Sequence, residues 1–321
     1  MAAIEAEVLR RTYKTHTGTL RRKTKEIEAV RGVSFAIEPG ELFGLLGPNG
    51  AGKTTTIKML ITLLLPTAGT ARVLGFDVVK HPYEVRKRIG YVFGGERGVY
   101  ERLSGLDNLR YFAELYGVPP KRQKARIEEL LELVGLKGRE HERAEGYSRG
   151  MKQRLHVARG LLHDPEVLFL DEPTIGLDPV GARELRSTIA SLTAAGKTVL
   201  LTTHYMFEAD ALCDRIAVIS HGKIVAHGTP TDLKRGVAEG AVVEVEVFGP
   251  AEEAVARVRA LDGVSSVAVE EREQAQVLVV QTVPGVELTH AILGCLDGSD
   301  VGRISQREPT LEDAYVALVS E

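Results

Sequence analysis

Short runs of apolar residues alternate with helical patterns from the N-terminus to about residue 230. The runs at 41–46, 167–170 and 198–202 are apolar over nearly their whole length, which is typical of strands that are covered on both faces. Because such strands alternate with helices, the pattern predicts an α/β domain with a central, mostly parallel sheet. Polar residues end the second and third runs, at the sheet edge where open α/β sheets bind ligands.

The strand pattern disappears between residues 104 and 163. Within this stretch, apolar side chains recur at helical spacing along one face of the segment 126–134, namely Ile127, Leu130, Leu131 and Val134. We therefore expect a helical insert, at about residues 95–165, that projects from the sheet domain.

A second, smaller unit is predicted beyond residue 230. Two apolar runs flank His221-Gly222 and indicate a hairpin that closes the large domain, and Thr229-Pro230-Thr231 follows it. The remaining elements come in the order β-α-β-β-α-β, with a further helix from Thr310. This order is that of a ferredoxin-like α+β module. The expected domains are residues 1–235 and 240–321, and the second shows no cluster of catalytic residues.

Composition limits the partners only in part. A chain of 321 residues fits two domains, and 41 Lys and Arg against 44 Asp and Glu give a net charge of -3, so charge does not favour a nucleic-acid partner. The two cysteines, Cys213 and Cys295, fit no metal or redox spacing and are expected in the core. No apolar stretch approaches the roughly 18 residues that span a bilayer. We therefore expect a soluble chain in a reducing compartment.

The segment Gly47-Pro48-Asn49-Gly50-Ala51-Gly52-Lys53-Thr54 matches the phosphate-binding loop pattern G-x-x-x-x-G-K-[ST]. It lies between the apolar run 41–46 and a helix expected at 55–65, which Pro66 ends. The glycines allow backbone N–H groups to face phosphates, and the helix N-terminus adds the positive end of its dipole. Lys53 contributes a full charge, and the Thr54 hydroxyl suits Mg²⁺. A nucleoside triphosphate is therefore the first ligand to consider.

Two further motifs carry candidate chemistry. Asp171 and Glu172 end the run 167–170, where Asp171 is a candidate to hold Mg²⁺ through water and Glu172 to orient an attacking water. Ser148 precedes a helix, and its hydroxyl with the amide of Gly150 would form an anion site at the helix N-terminus. Taken alone, Ser-x-Gly before a helix is usually only a cap.

Together these motifs resemble the nucleotide-binding domain of an ATP-binding cassette ATPase. The resemblance rests on residues 47–54, 148–153 and 167–172, on the turn Gly176-Leu177-Asp178 and on His204 after a strand, in the order and spacing of the family. It covers residues 1 to about 230 and implies a P-loop NTPase cassette with an N-terminal β subdomain and a helical insert. It also implies a head-to-tail homodimer, in which ATP on the phosphate loop of one subunit is covered by the helix of the other that begins with the family signature, residues 148–153.

The resemblance assigns roles to individual residues. Those that it places on the nucleotide within one subunit are Tyr13 at the adenine, Gly47, Pro48, Asn49, Gly50, Ala51, Gly52, Lys53, Thr54 and Thr55 at the phosphates, and His204 at the γ-phosphate. Thr54 and Asp171 would hold Mg²⁺, and Glu172 would serve the water. Ser148 and Gly150 would act on the γ-phosphate of the partner's ATP, and Asp178 would link the two sites.

Two features depart from the family pattern. The family normally has a glutamine near Mg²⁺ after the strand at 89–92, but this chain reads Phe93-Gly94-Gly95-Glu96-Arg97, so Glu96 or a water would have to substitute. Residues 15–26 look inserted after Tyr13, and their basic side chains are Arg21, Arg22, Lys23 and Lys25. These form either a solvated loop or a contact with anionic lipid headgroups or a membrane partner.

The C-terminal segment 307–315 is similar to the tail of exporter ATPases of the daunorubicin-resistance type. The leading prediction is an ATPase subunit at the cytoplasmic face of the cell membrane, which powers export of a drug, lipid or polysaccharide through a separate permease chain. One alternative is a soluble cassette ATPase that acts on nucleic acid or ribosomes, but this class carries a long coiled coil or two cassettes. A P-loop small-molecule kinase is the other, and it leaves the signature and His204 unexplained.

Overall fold

The computed structural model describes residues 1–17, 23–94, 98–237, 241–248, 252–272, 275–283, 286–297 and 299–320. The chain divides into two compact units, Met1–His227 and Gly228–Glu321. The division falls earlier than the expected one at residue 235, because the helix Pro230–Val237 packs with the last helix, Leu311–Ser320, within the second unit.

The first unit is built on two sheets. Its strands are β1 (Ile4–Thr17), β2 (Lys23–Ile37), β3 (Leu42–Leu46), β4 (Ala68–Val73), β5 (Phe76–Asp77), β6 (Ile89–Phe93), β7 (Val167–Asp171), β8 (Thr198–Thr203), β9 (Arg215–Ser220) and β10 (Lys223–Gly228). The N-terminal sheet has the order β2-β1-β4-β5, and the central sheet has the order β10-β9-β3-β8-β7-β6. Four pairs of neighbouring strands in the central sheet are parallel, namely β9 and β3, β3 and β8, β8 and β7, and β7 and β6. The prediction of a mostly parallel central sheet is confirmed.

Helices cover the central sheet and form the insert. They are α1 (Lys53–Leu60), α2 (Pro82–Arg88), α3 (Gly105–Leu115), α4 (Pro120–Leu133), α5 (Arg149–Leu161), α6 (Pro179–Ala194) and α7 (Met206–Leu212). In the insert, α3, α4 and α5 pack on one another, and α4 buries Ile127, Leu130 and Leu131 as the helical spacing predicts.

The main core of this unit is continuous between the two sheets. Ile4 and Leu9 of β1 belong to the same buried cluster as Phe43 of β3, Phe169 of β7 and Leu200 of β8. Phe35 of β2 stacks on Phe43 with the ring centroids 5.4 Å apart. Since α1 buries Ile57, Met59 and Leu60 in this cluster, the helix that follows the phosphate loop is anchored at its far end.

Two local predictions for this unit are wrong. The helix after the phosphate loop ends at Leu60 and not at residue 65, because Thr62 has a left-handed backbone with a φ of 67°. The segment 15–26 is not a loop over its described part: β1 and β2 form a long antiparallel hairpin in which Thr15 pairs with Lys25 and Thr17 with Lys23. Arg21 and Arg22, which carry part of the predicted membrane contact, lie outside the described residues.

The second unit has its own sheet and core. Its elements are α8 (Pro230–Val237), β11 (Val242–Phe248), α9 (Glu252–Arg259), β12 (Val264–Arg272), β13 (Ala275–Thr282), α10 (Thr289–Cys295), β14 (Asp300–Arg307) and α11 (Leu311–Ser320). The sheet has the order β12-β13-β11-β14, and each pair is antiparallel. Val243, Val245 and Val247 alternate along β11 into a core that also holds residues of α9 and α10. This is the ferredoxin-like arrangement that the element order predicts.

Candidate functional site

The polar ends of three neighbouring strands form the site. The phosphate loop follows β3, Thr202 and His204 lie at the end of β8, and Asp171 is the last residue of β7. Because β3, β8 and β7 are adjacent and parallel, their carboxyl ends meet at one edge of the central sheet. The hydrophobic runs that make these strands therefore also bring the candidate residues together.

Close backbone contacts define the shape of the phosphate loop. A methyl group added at Gly47 would lie 2.2 Å from the carbonyl oxygen of Ile219, and one at Gly52, which has a φ of 109°, would lie 2.6 Å from that of Ala29. The N–H group of Gly222 donates to the carbonyl of Ala51 at 2.9 Å, so the β9–β10 turn supports the loop from outside. The glycines are thus required by space as well as by conformation.

A small cavity of about 140 Å³ lies over the loop. Its lining residues are Ala29, Asn49, Gly50, Gly52, Lys53, Thr54, Thr55 and Glu172. The cavity opens at the start of α1, where free N–H groups and the helix dipole favour an anion. Its lining therefore fits the phosphate tail of a nucleotide.

Lys53 is the charged centre of this cavity. Its side chain is only 4% exposed, and its Nζ donates to the carbonyl oxygens of Gly47 at 2.7 Å and Pro48 at 3.1 Å. The same Nζ lies 3.1 Å from Oε1 of Glu172. A buried ammonium needs such partners, because removing it from water without them is costly.

The side-chain oxygens of Asp171 and Thr54 lie within hydrogen-bonding distance of each other. Thr54 Oγ1 donates to Asp171 Oδ1 at 3.1 Å, and Thr202 Oγ1 donates to the same oxygen at 2.6 Å. Burial, followed by the nearby charge of Asp171, raises the pKa of the Tyr91 phenol, so this phenol stays neutral. Across the described ranges, no group of three or more His, Cys, Asp or Glu side chains could hold a metal alone. Thr54 and Asp171 still fit Mg²⁺, which uses few protein oxygens and takes its other ligands from phosphates and water.

Glu172 faces both Lys53 and His204. Its Oε2 lies 3.2 Å from Nδ1 of His204, while its Oε1 contacts Lys53. The backbone of Glu172 is left-handed, with a φ of 50°, a conformation that is uncommon for a non-glycine residue and often found at functional sites. The predicted group Lys53, Glu172 and His204 is thus brought together in one place.

Ser148, Gly150 and Asp178 form a separate group. Ser148 caps α5 by accepting from the N–H of Met151 at 3.2 Å. Asp178 caps α6 by accepting from the N–H groups of Gly181 at 2.9 Å and Val180 at 3.0 Å, and these bonds lower the pKa of its carboxyl. A methyl group at Gly150 would lie 3.6 Å from Cα of Gly181, so the two helix N-termini are adjacent. Neither Ser148 nor Gly150 lines the phosphate cavity of the described chain.

Tyr13 is not part of the cavity lining. It pairs with Ile27 across the β1–β2 hairpin, two residues before Ala29, which does line the cavity. The guanidinium carbon of Arg11 lies 4.9 Å from the centroid of its ring, which is a cation–π contact. Its predicted place at the adenine therefore stays a prediction.

Two residues in the site were not predicted from the sequence. Thr202 bonds both Asp171 and the backbone of Glu172, and its position as the first polar residue after an apolar run was the available signal. Gly94, one of the two glycines that stand where the family has its glutamine, donates its N–H to the carbonyl of Asp171 at 2.7 Å. Glu96, the suggested substitute, lies outside the described residues.

Comparison with known proteins supports one family. The model of the family "ABC transporter" matches residues 30–175. The chain is 46% identical over 211 residues to the ABC transporter ATP-binding protein NatA of Bacillus subtilis (strain 168), which covers 66% of this chain and 86% of that protein. It is 38% identical over 296 residues to the daunorubicin resistance ATP-binding protein DrrA3 of Streptomyces coeruleorubidus, which covers 92% of each.

Solved structures give the same result. One described as "Structure of ATP binding subunit of ABC transporter" is 29% identical, with a TM-score of 0.61, and the match covers 73% of this chain and 92% of that one.

Because the match to DrrA3 covers 92% of this chain, it extends from the first unit into the second. Among the described residues, no helix combines the length and the apolar character needed to cross a bilayer. The chain belongs to the ATP-binding proteins of ABC transporters, and it is an ATP-hydrolysing exporter subunit of the daunorubicin-resistance type.

Proposed function

We propose that the chain is the peripheral ATPase of a drug exporter, bound at the cytoplasmic face of the membrane to a separate permease. The observation that carries this proposal is the match to DrrA3 over both units, since the nucleotide site alone would fit any cassette ATPase. The names of three further relatives concern resistance to linearmycin or daunorubicin and doxorubicin, or export of fluoroquinolones. We therefore propose an organic, drug-like substrate. The two alternatives, a nucleic-acid or ribosome ATPase and a small-molecule kinase, have no comparable support.

The proposed chemistry starts from the contacts of Lys53. Its ammonium lies between two loop carbonyls and Glu172, so an incoming phosphate competes with these acceptors for the same charge. Once Lys53 binds phosphate, the Glu172 carboxylate is released from this ion pair and can accept a proton from a water molecule. His204, at 3.2 Å from Glu172, is close enough to orient the carboxylate, and the family resemblance assigns it to the γ-phosphate.

Mg²⁺ would be held by Thr54 and Asp171, and it would neutralise phosphate charge. The partner subunit would contribute Ser148 and Gly150. This part of the proposal is supported by the N-terminus of α5, where the helix dipole favours an anion and which lies outside the lining of the phosphate cavity. Two copies arranged head to tail would place this anion site over the phosphates of the other subunit.

Mixing two inactive variants tests the composition of the site. Lys53→Ala removes the phosphate ligand, and Ser148→Arg blocks the signature. In a head-to-tail heterodimer one site contains both defects and the other contains neither, so an equimolar mixture should regain about a quarter of the wild-type turnover. Each variant alone is the control. If no ratio restores turnover, although both variants are folded and form dimers, the shared site is wrong.

Transport is tested with inside-out membrane vesicles. The reading frames next to its gene are searched for a six-span permease, the chain is co-produced with that candidate, and ATP-driven uptake of a fluorescent anthracycline is measured. Uptake should require both chains and should be absent with Glu172→Gln. If the vesicles bind the chain and hydrolyse ATP but accumulate neither an anthracycline nor a fluoroquinolone, the drug-like substrate is contradicted while the ATPase assignment stands.

A further inference from the structure

We propose that Thr202 is a positioning residue that sets the geometry of both Asp171 and Glu172. Thr202 lies in β8, between the strand that leads to the phosphate loop and the strand that ends in the carboxylates. Its side chain is completely buried. Its hydroxyl contacts Asp171 and Glu172, so we propose that it acts through these two residues and not directly on the substrate.

A single hydroxyl joins the two acidic residues. Thr202 Oγ1 donates to Asp171 Oδ1 at 2.6 Å and accepts from the N–H of Glu172 at 3.1 Å. The carbonyl oxygen of Thr202 accepts from the same N–H at 3.0 Å. Because a hydroxyl has one proton to donate, the bond to Asp171 uses it, and the lone pairs are left for Glu172. The polarity of all three bonds is therefore consistent.

The bonds to Glu172 act on a backbone in an unfavourable conformation. At a φ of 50°, Glu172 needs surrounding contacts to hold it, and Thr202 supplies two acceptors for its only N–H donor. The direction of the Glu172 side chain follows from this backbone conformation. Thr202 thus indirectly determines where the Glu172 carboxylate meets Lys53 and His204.

The bond to Asp171 acts on the candidate metal ligand. The hydroxyls of Thr54 and Thr202 both donate to Oδ1, so the Thr202 bond limits rotation of the carboxylate beside Thr54. Residues that orient a metal ligand in this way influence metal affinity as well as activity. Loss of the Thr202 hydroxyl should therefore change the Mg²⁺ dependence and kcat together.

Thr202→Val tests this role because valine keeps the branched shape and removes both hydroxyl bonds. We expect kcat to fall by roughly 10–100-fold and the Mg²⁺ concentration for half-maximal activity to rise about tenfold, with a much smaller change in ATP affinity. Binding of Mn²⁺ with a non-hydrolysable ATP analogue, measured by electron paramagnetic resonance, should weaken similarly. Thr202→Ser, which keeps the hydroxyl, should stay within about threefold of the wild type in each measurement.

A matched control lies at the other end of the same strand. Thr198 is also buried, and its hydroxyl accepts from the N–H of Gly40 at 2.9 Å. Thr198→Val therefore also removes a buried hydrogen bond from β8, but should leave kcat and Mn²⁺ affinity unchanged. If it lowers both as much as Thr202→Val does, the effect is one of stability only. Should Thr202→Val fail to fold, Thr202→Ala removes the same hydroxyl without adding a methyl group.

The inference rests on the proposed roles of Asp171 and Glu172, and the two can fail separately. Normal turnover of Glu172→Gln would contradict the role of Glu172 itself. An inactive Glu172→Gln together with a Thr202→Val, or its alanine substitute, that has wild-type kcat and Mn²⁺ affinity would overturn only the inference about Thr202. So would a Thr202→Ser variant as impaired as the valine one, because the hydroxyl would not be responsible.

Discussion

Lys53 contacts three acceptors within the protein. Because these are two loop carbonyls and the Glu172 carboxylate, a phosphate would compete with them for the same ammonium. The ion pair with Glu172 also ties the candidate catalytic carboxylate to the loop. With the roles proposed for Lys53 and Glu172, phosphate binding would release the carboxylate that activates water.

Glu172→Gln is expected to abolish turnover and to keep ATP binding. The amide cannot accept a proton from water, but it is nearly the same size and leaves Lys53 free for phosphate. ATP turnover and sedimentation with ATP and Mg²⁺ are the measurements, and a stable dimer should accumulate. Turnover within about threefold of the wild type, roughly 0.7 kcal/mol of barrier, would remove Glu172 from its proposed role.

Helix α5 carries the signature at its start and contacts the end of β6 farther along. Gln153 Nε2 donates to the carbonyl of Phe93 at 3.3 Å, and the ring of His156 packs edge-on against Phe93 with centroids 4.6 Å apart. Arg159 donates to the carbonyl of Gly98 and, at 2.6 Å, to Nε2 of His156. One helix therefore connects the candidate anion site at Ser148 with the strand next to Asp171.

His156 makes this connection sensitive to acid. Burial, and next the charge of Arg159, lower the pKa of the imidazole from 6.5 to about 3, so His156 is neutral in the folded chain. Between about pH 6.5 and pH 3, His156 is protonated in the unfolded chain but neutral in the folded chain. The free energy of unfolding therefore has its full value above pH 6.5. It falls as the pH decreases, by up to about 1.4 kcal/mol per pH unit.

We expect His156→Gln to remove this loss. Glutamine does not titrate, and its amide oxygen can still accept from Arg159. Urea unfolding followed by circular dichroism, from pH 7.5 to 4.5, should show the wild type losing stability relative to the variant as the pH decreases. Because other titrating groups are present in both proteins, their contributions cancel in the difference. A difference that does not depend on pH would show that His156 is not the responsible group.

The elements were predicted where pattern and packing agree. Continuous apolar runs located β3, β7 and β8 because these strands are buried on both faces. The β1–β2 hairpin was not predicted beyond Tyr13, since the segment 15–26 is polar and lacks the alternation that marks a strand. Likewise, apolar Leu63 and Leu65 favoured a longer α1, but both are exposed after the left-handed Thr62.

Gly94, one of the two glycines that stand where the family has its glutamine, leaves no room for a side chain. A methyl group at Gly94 would lie 2.1 Å from the carbonyl oxygen of Glu172 and 2.6 Å from Cγ2 of Ile175. No side chain fits there without displacing the backbone of Glu172. The motifs predicted which residues meet at the site, because their spacing follows the strands. They could not predict this close approach or the bonds of Thr202, which depend on neighbouring strands in space.

At the scale of the whole molecule, the two units have separate cores and separate sheets. Within the described chain, the lining of the phosphate cavity belongs entirely to the first unit. The second unit contains an internal ion network, in which Arg307 contacts Glu244 at 2.7 Å and Asp313 at 2.6 Å. Asp313 also accepts from the N–H of Thr310 at 2.7 Å. The segment 307–315, which is similar to the tail of daunorubicin-resistance ATPases, is therefore the start of a helix that is bonded to the sheet of its own unit.

The second unit is therefore expected to assist dimerisation or regulation and to take no part in hydrolysis. Truncation after His227, at the observed division, should keep ATP affinity within about threefold, because no cavity residue is removed. A chain that ends at residue 237 is the matched control, since it retains α8 without α11, the helix against which it packs. It should bind ATP equally well but should be less stable or less soluble.

Turnover as a function of protein concentration then separates assembly from chemistry. If the second unit bridges subunits, the concentration at half-maximal turnover rises on truncation, while turnover at saturating protein approaches that of the full chain. Nucleotide binding and cooperative melting are measured on the same samples, so that unfolded protein is recognised. A truncated chain that still melts cooperatively but no longer binds ATP would place part of the nucleotide site in the second unit. The prediction that the second unit takes no part in hydrolysis would then be wrong.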